Sequence, residues 1–125
     1  MSGIKTDICL DIVNRSKTIS MTLTKVRCNT FAAKGEDCAV WYKNTKILLK
    51  EVQKATKVFY QKSETDFRIT EEQLSTLYDV ANDIFQLETN VKSCHATRIP
   101  LKIDFLGQSL EMCLKSLKSL SNPEK

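Results

Sequence analysis

The sequence predicts an all-α fold, a four-helix bundle with up-up-down-down connectivity, long crossovers and a short two-stranded β-ribbon. Three observations carry this. The 125 residues include only three glycines and two prolines, too few turn residues for an all-β chain. Apolar residues recur at steps of three and four over long stretches, which is the helical period. Finally, about 18 residues separate the first two helical patterns, enough chain for them to run parallel.

The first helix is expected near residues 5–17. Ile8, Cys9, Ile12 and Val13 lie on its apolar side, and Thr6 or Asp7 is placed to cap it. "KTISMTLTKVRCNTF" follows, where Met21-Thr22-Leu23-Thr24 alternates and β-branched residues are dense, so a short strand is expected. "TRIPL" at 97–101 is its candidate partner, restricted to a sheet edge by Pro100. The strongest pattern is 37–60, where Cys38, Trp41, Thr45, Leu48, Val52, Ala55 and Phe59 form one seam. The third helix spans 71–92, with Leu74, Leu77, Ala81, Ile84 and Val91 as its seam, flanked by Tyr78 and Phe85. Thr70 and Gln73 have the spacing of a capping box, and Glu71 and Glu72 suit the positive end of the helix dipole. The fourth helix, 103–120, repeats the seam with Ile103, Leu106, Leu110, Cys113, Leu117 and Leu120. Gly107 weakens it.

The length fits one domain, expected over 4–125, and Met1-Ser2-Gly3 reads as an added start before a mature sequence. With 27% charged and 42% apolar residues the composition is that of a globular chain. No apolar run is long enough to insert into a membrane. The net charge of +4 permits an anionic partner without requiring one. Nucleotide-binding loops and metalloprotease motifs are missing from the sequence, so neither an enzyme nor a cofactor is expected.

The five cysteines stand at 9, 28, 38, 94 and 113, with no C-x-x-C pair and a single histidine, His95. That is no zinc spacing, and adjacent Cys94 and His95 make a poor catalytic pair. Disulfides are the remaining reading. Cys38 opens the second helix and Cys94 lies just past the third, so they meet if those helices are antiparallel neighbours. Cys9 and Cys113 could bridge the first and last helices, or stay as two buried thiols. An odd count leaves at least one cysteine over. Lys43, Lys46, Lys50, Lys54 and Lys57 line the side of the second helix away from its seam. They invite a polyanion such as heparan sulfate, against the plainer reading of a solvated face. No aromatic residue interleaves with them, so nucleic acid is not expected. Asn14-Arg15-Ser16 is a glycosylation sequon on the outer side of the first helix.

"TFAAKGEDCAVWYKN" followed by "VQKATKVFYQKSETDF" resembles the interleukin-4/interleukin-13 family of helical cytokines, as a divergent member from a non-mammalian vertebrate. "DICLDIV" at 7–13 resembles the family's first helix, "VKSC" at 91–94 the close of its third and "IDFLGQSLEMCLKSL" its fourth. The likeness spans nearly the whole chain and is most specific at 30–38 and 91–94.

The resemblance implies a secreted, extracellular monomer that does no chemistry and joins two class I cytokine receptor chains to signal in immune cells. One of these would be similar to the interleukin-4 receptor alpha chain. It implies a Cys38–Cys94 disulfide, and Cys9 and Cys113 loosely match the family's terminal bridge. Cys28 would be the leftover thiol, because the loop "QKSETDFRIT" lacks its usual partner. Asp11 matches the acid that anchors the first receptor chain. Asp83 stands where the family has a basic residue. Lys115 and Lys118 fall where the second chain docks. The other expectation is an intracellular basic protein that binds polyanions through the lysine stripe.

Overall fold

A computed structural model describes residues 3–26, 38–65 and 69–121. Four α-helices fill them: α1 (Gly3–Leu23), α2 (Cys38–Thr65), α3 (Glu71–Thr97) and α4 (Ile103–Ser121). Each buries one stripe. Ile12, Ile19 and Leu23 of α1, Leu49 and Val52 of α2, Leu77 and Ile84 of α3, and Leu106, Leu110 and Leu117 of α4 are almost fully buried in one core. Burying a side chain of this kind is worth roughly 1.5–3 kcal/mol, so these stripes hold the four helices together.

The connectivity is up-down-up-down, which corrects the up-up-down-down expectation. The start of α1 meets the end of α2, where the Thr6 hydroxyl lies 3.5 Å from that of Tyr60. The end of α1 meets the start of α2, where the Tyr42 hydroxyl donates to the Val26 carbonyl. Residues 70–76 face 119–120, and 83–87 face 105–112, so α3 and α4 are also antiparallel. A crossover of the length present between α1 and α2 permits either direction; the Val26–Tyr42 contact is what turns the chain back. Around the square the neighbours are α1–α2, α1–α3, α2–α4 and α3–α4. The pairs α1–α4 and α2–α3 are diagonal, with no Cα atoms within 8 Å among the described residues.

The expected ribbon gives way to helix on its first side. Met21–Leu23 complete α1, because Ile19 and Leu23 extend the core stripe at a step of four and are fully buried there. Helical turns close it at Lys25 and Val26. The described residues contain no strand, and Leu101 forms only an isolated bridge. Thr6 and Asp7 lie inside α1 rather than at its cap, since the helix begins at Gly3. The capping box of α3 forms as expected, with Thr70 and Gln73 each accepting from the other's backbone N–H at 3.0 Å. α3 ends at Arg98, whose φ of 61° places a non-glycine residue in the left-handed region, and Pro100 follows.

Candidate functional site

The α1/α3 face carries the largest polar cluster described. Glu88 shares the buried side of α3 with Ile84 and Val91 and is 6% exposed. A lone carboxylate there would be costly, so it needs partners. Arg15 of α1 donates to it across the helix pair, and Lys92, one turn on, approaches at 3.2 Å. Arg15 also donates through Nε to both carboxylate oxygens of Asp11, at 2.9 and 3.0 Å. Its guanidinium lies 4.7 Å from the centre of the Phe85 ring. Hydrogen bonds donated to Asp11, then to Glu88, raise the Arg15 pKa, so its charge is permanent. Phe85 and Tyr78, seven residues apart on one stripe of α3, remain 46% and 49% exposed. A fixed mixed-charge knot flanked by two exposed aromatics is thus the chemistry of this face.

The sequence singled out Asp11 here and missed Arg15, Glu88, Lys92 and Phe85 as its companions. Asp11–Arg15 and Glu88–Lys92 are both acid-then-base pairs at i,i+4, a signal that could have found them. Asp11 is not a lone carboxylate, because Arg15 engages both of its oxygens. Asp83 is exposed on the α4 side of α3, in a shallow groove with Phe105 and Met112, away from Asp11. Lys115 and Lys118 are exposed on α4, which stands diagonally across the bundle from α1. Asp11 and Asp83, expected to serve one receptor chain, thus stand on different sides of the bundle, and Lys115 and Lys118, expected to serve the other, stand on α4. Asn14 is exposed on α1, as expected for a sequon. Of the lysine stripe, Lys43, Lys50, Lys54 and Lys57 are exposed and Lys46 is half-buried.

The cysteine expectations need correction. Cys94 and Cys113 are thiols in this structure. A disulfide requires Cα atoms within about 6.8 Å. Cys9 and Cys113 stand on α1 and α4, antiparallel but diagonal, and no Cα pair between those helices comes within 8 Å. Cys38 and Cys94 likewise stand at one end of the bundle on α2 and α3, the other diagonal. The expected pairings assumed that antiparallel helices are neighbours; here these pairs are antiparallel without being neighbours. Cys28 and the side chain of Cys38 lie outside the described residues.

Burial, with a smaller contribution from Asp83, pushes the Cys113 thiol up to about 12, the reverse of an activated nucleophile. Cys94 and His95 are consecutive on α3, so their side chains diverge by about 100° around the axis. No group of three or more metal-binding side chains occurs among the described residues. Nor is any described helix long and apolar enough to cross a membrane.

No family model matches the chain, and no curated protein or solved structure matches it.

Proposed function

We propose that this chain is a secreted helical cytokine of the interleukin-4/interleukin-13 kind, acting by bringing two receptor chains together. The observation that carries the reading is the α1/α3 face, where Tyr78 and Phe85 stay exposed beside the Asp11–Arg15–Glu88–Lys92 knot. Arginine and aromatic side chains held rigid at the centre of a patch are what dominates binding energy in protein interfaces. The residue likeness at 30–38 and 91–94 supports the same reading; the connectivity of the bundle does not, being up-down-up-down. The first receptor chain, similar to the interleukin-4 receptor alpha chain, would dock on this face. Arg15 and Lys92 there take the part of the basic residue that the resemblance puts on the third helix, and Asp83, on the α4 side, falls outside the contact. The second chain would dock on the outer side of α4 with Lys115 and Lys118.

Asp11→Lys is expected to weaken binding to an interleukin-4-receptor-alpha-like ectodomain by more than about 2 kcal/mol, the usual hot-spot threshold. Surface plasmon resonance reads this, with circular dichroism as the check on fold. Unchanged affinity in a folded variant would remove Asp11 as an anchor, and no affinity in the parent chain would remove the reading itself.

The exposed lysines of α2 support a second reading, an intracellular protein that binds polyanions. It predicts retention on heparin that falls steeply with salt and is lost when Lys43, Lys50 and Lys54 become glutamate, with no receptor affinity in the parent.

A further inference from the structure

Between the first half of α1 and the second half of α2 lies a cavity of about 260 Å³, nearly all apolar in its lining. Cys9, Leu10 and Val13 form one wall and Thr56 the other. Leu10 is 54% exposed, at the open side of the cavity. The Thr56 hydroxyl is engaged by the Val52 carbonyl at 2.8 Å, so it adds little polarity. The polar groups of the lining are Lys57, Tyr60 and Thr6, and Lys57 is the sole charged one. Lys50 and Lys54 continue the positive rim along the same helix face, and both are exposed. Asp7, the nearest acid in sequence, is exposed and is not part of the lining.

An apolar slot with a cationic rim and no acid matches one kind of ligand, an apolar chain with an anionic head. At about 30 Å³ for each small group, the cavity takes roughly nine methylene-sized units, one acyl chain of medium length. We propose that the α1/α2 groove binds a single-chain fatty-acid carboxylate, with the chain between Leu10, Val13 and Thr56 and the carboxylate on Lys57. The assignment is independent of the receptor reading, since the groove lies on the α2 side of α1 and the aromatic patch on the α3 side.

The test is calorimetric titration of the full chain with dodecanoate, below its micelle concentration, beside dodecanol and anionic phospholipid vesicles. Two exposed positions give variants that keep the fold, checked by circular dichroism: Leu10→Trp, which fills the groove, and Lys57→Glu, which reverses its charge. The expected result is saturable uptake of one dodecanoate per chain, at least about fivefold weaker in Lys57→Glu and lost in Leu10→Trp. Dodecanol uptake should be unaffected by Lys57→Glu. The proposal is overturned by no uptake, by uptake that either variant leaves unchanged, or by binding confined to vesicles.

Discussion

Glu88 shows how one buried charge can fix the register of two helices. It is 6% exposed, and Arg15 and Lys92 together supply its counter-charge. Removing Arg15 strands part of that charge. Arg15→Ala should destabilise the fold by about 2 kcal/mol, less than the roughly 3–5 kcal/mol of a fully buried pair, because Lys92 stays in reach. Urea unfolding measures this, and the double variant Arg15→Leu, Glu88→Leu should recover most of the loss. Ser16 poses the opposite case. Its Oγ is buried without a hydrogen-bond partner in the α1 stripe. Ser16→Ala removes that orphan and suits a helix better, so unfolding midpoints should rise by the equivalent of about 1 kcal/mol. Cys113 ties the fold to pH. Its thiol ionises at about 12 in the folded chain against an ordinary 9.0. Below pH 9.0 both states keep the proton and nothing is lost. Between 9.0 and about 12 only the unfolded chain gains by ionising, so stability falls as pH rises through that window. The fall should be shallower in Cys113→Ala, read by urea midpoints at neutral pH and at about pH 10.

The helices themselves were legible because each carries apolar residues at steps of three and four, and the residues named for those seams are largely the buried ones. Leu48, Leu74 and Ala81 are the exceptions, each half-buried; beside Leu48 it is Leu49 that is fully buried, while Val52, Ala55 and Phe59 further along the same seam stay inside. The end of α1 was misread for a local reason. Dense β-branched residues favour a strand when viewed alone, but tertiary burial of Ile19 and Leu23 overrides that preference. Gly107, expected to weaken the fourth helix, stands inside α4. A Cβ built there meets nothing within 4 Å. Gly107→Ala should therefore stabilise the fold by up to about 1 kcal/mol, measured as a higher thermal midpoint. A lower midpoint would mean that α4 packs differently at this point.

The order of the helices around the square was not legible, because seams report burial and say nothing of which helix lies opposite. This is why both disulfide expectations fail together, although Cys9 and Cys113 were placed on the right helices; Cys94, expected just past the third helix, lies inside α3. The diagonal arrangement makes a direct prediction. Non-reducing peptide mapping should recover Cys94 and Cys113 as alkylated thiols, and a Cys38–Cys94 bridge would mean that α2 and α3 are neighbours after all. The candidate site was half legible for a related reason. Asp11 was named only through the family resemblance, whereas its meeting with Glu88 depends on α1 and α3 lying side by side.

Alternating connectivity also sets where the chain can be handled. α1 begins and α4 finishes at the same end of the bundle, while the Val26–Tyr42 contact and the tight link from Arg98 to Lys102 occupy the other. A tag or fusion at either terminus thus crowds only one end. A flexible linker joining the two termini, with new ends opened between α2 and α3, should give a circular permutant that keeps every helix pair intact.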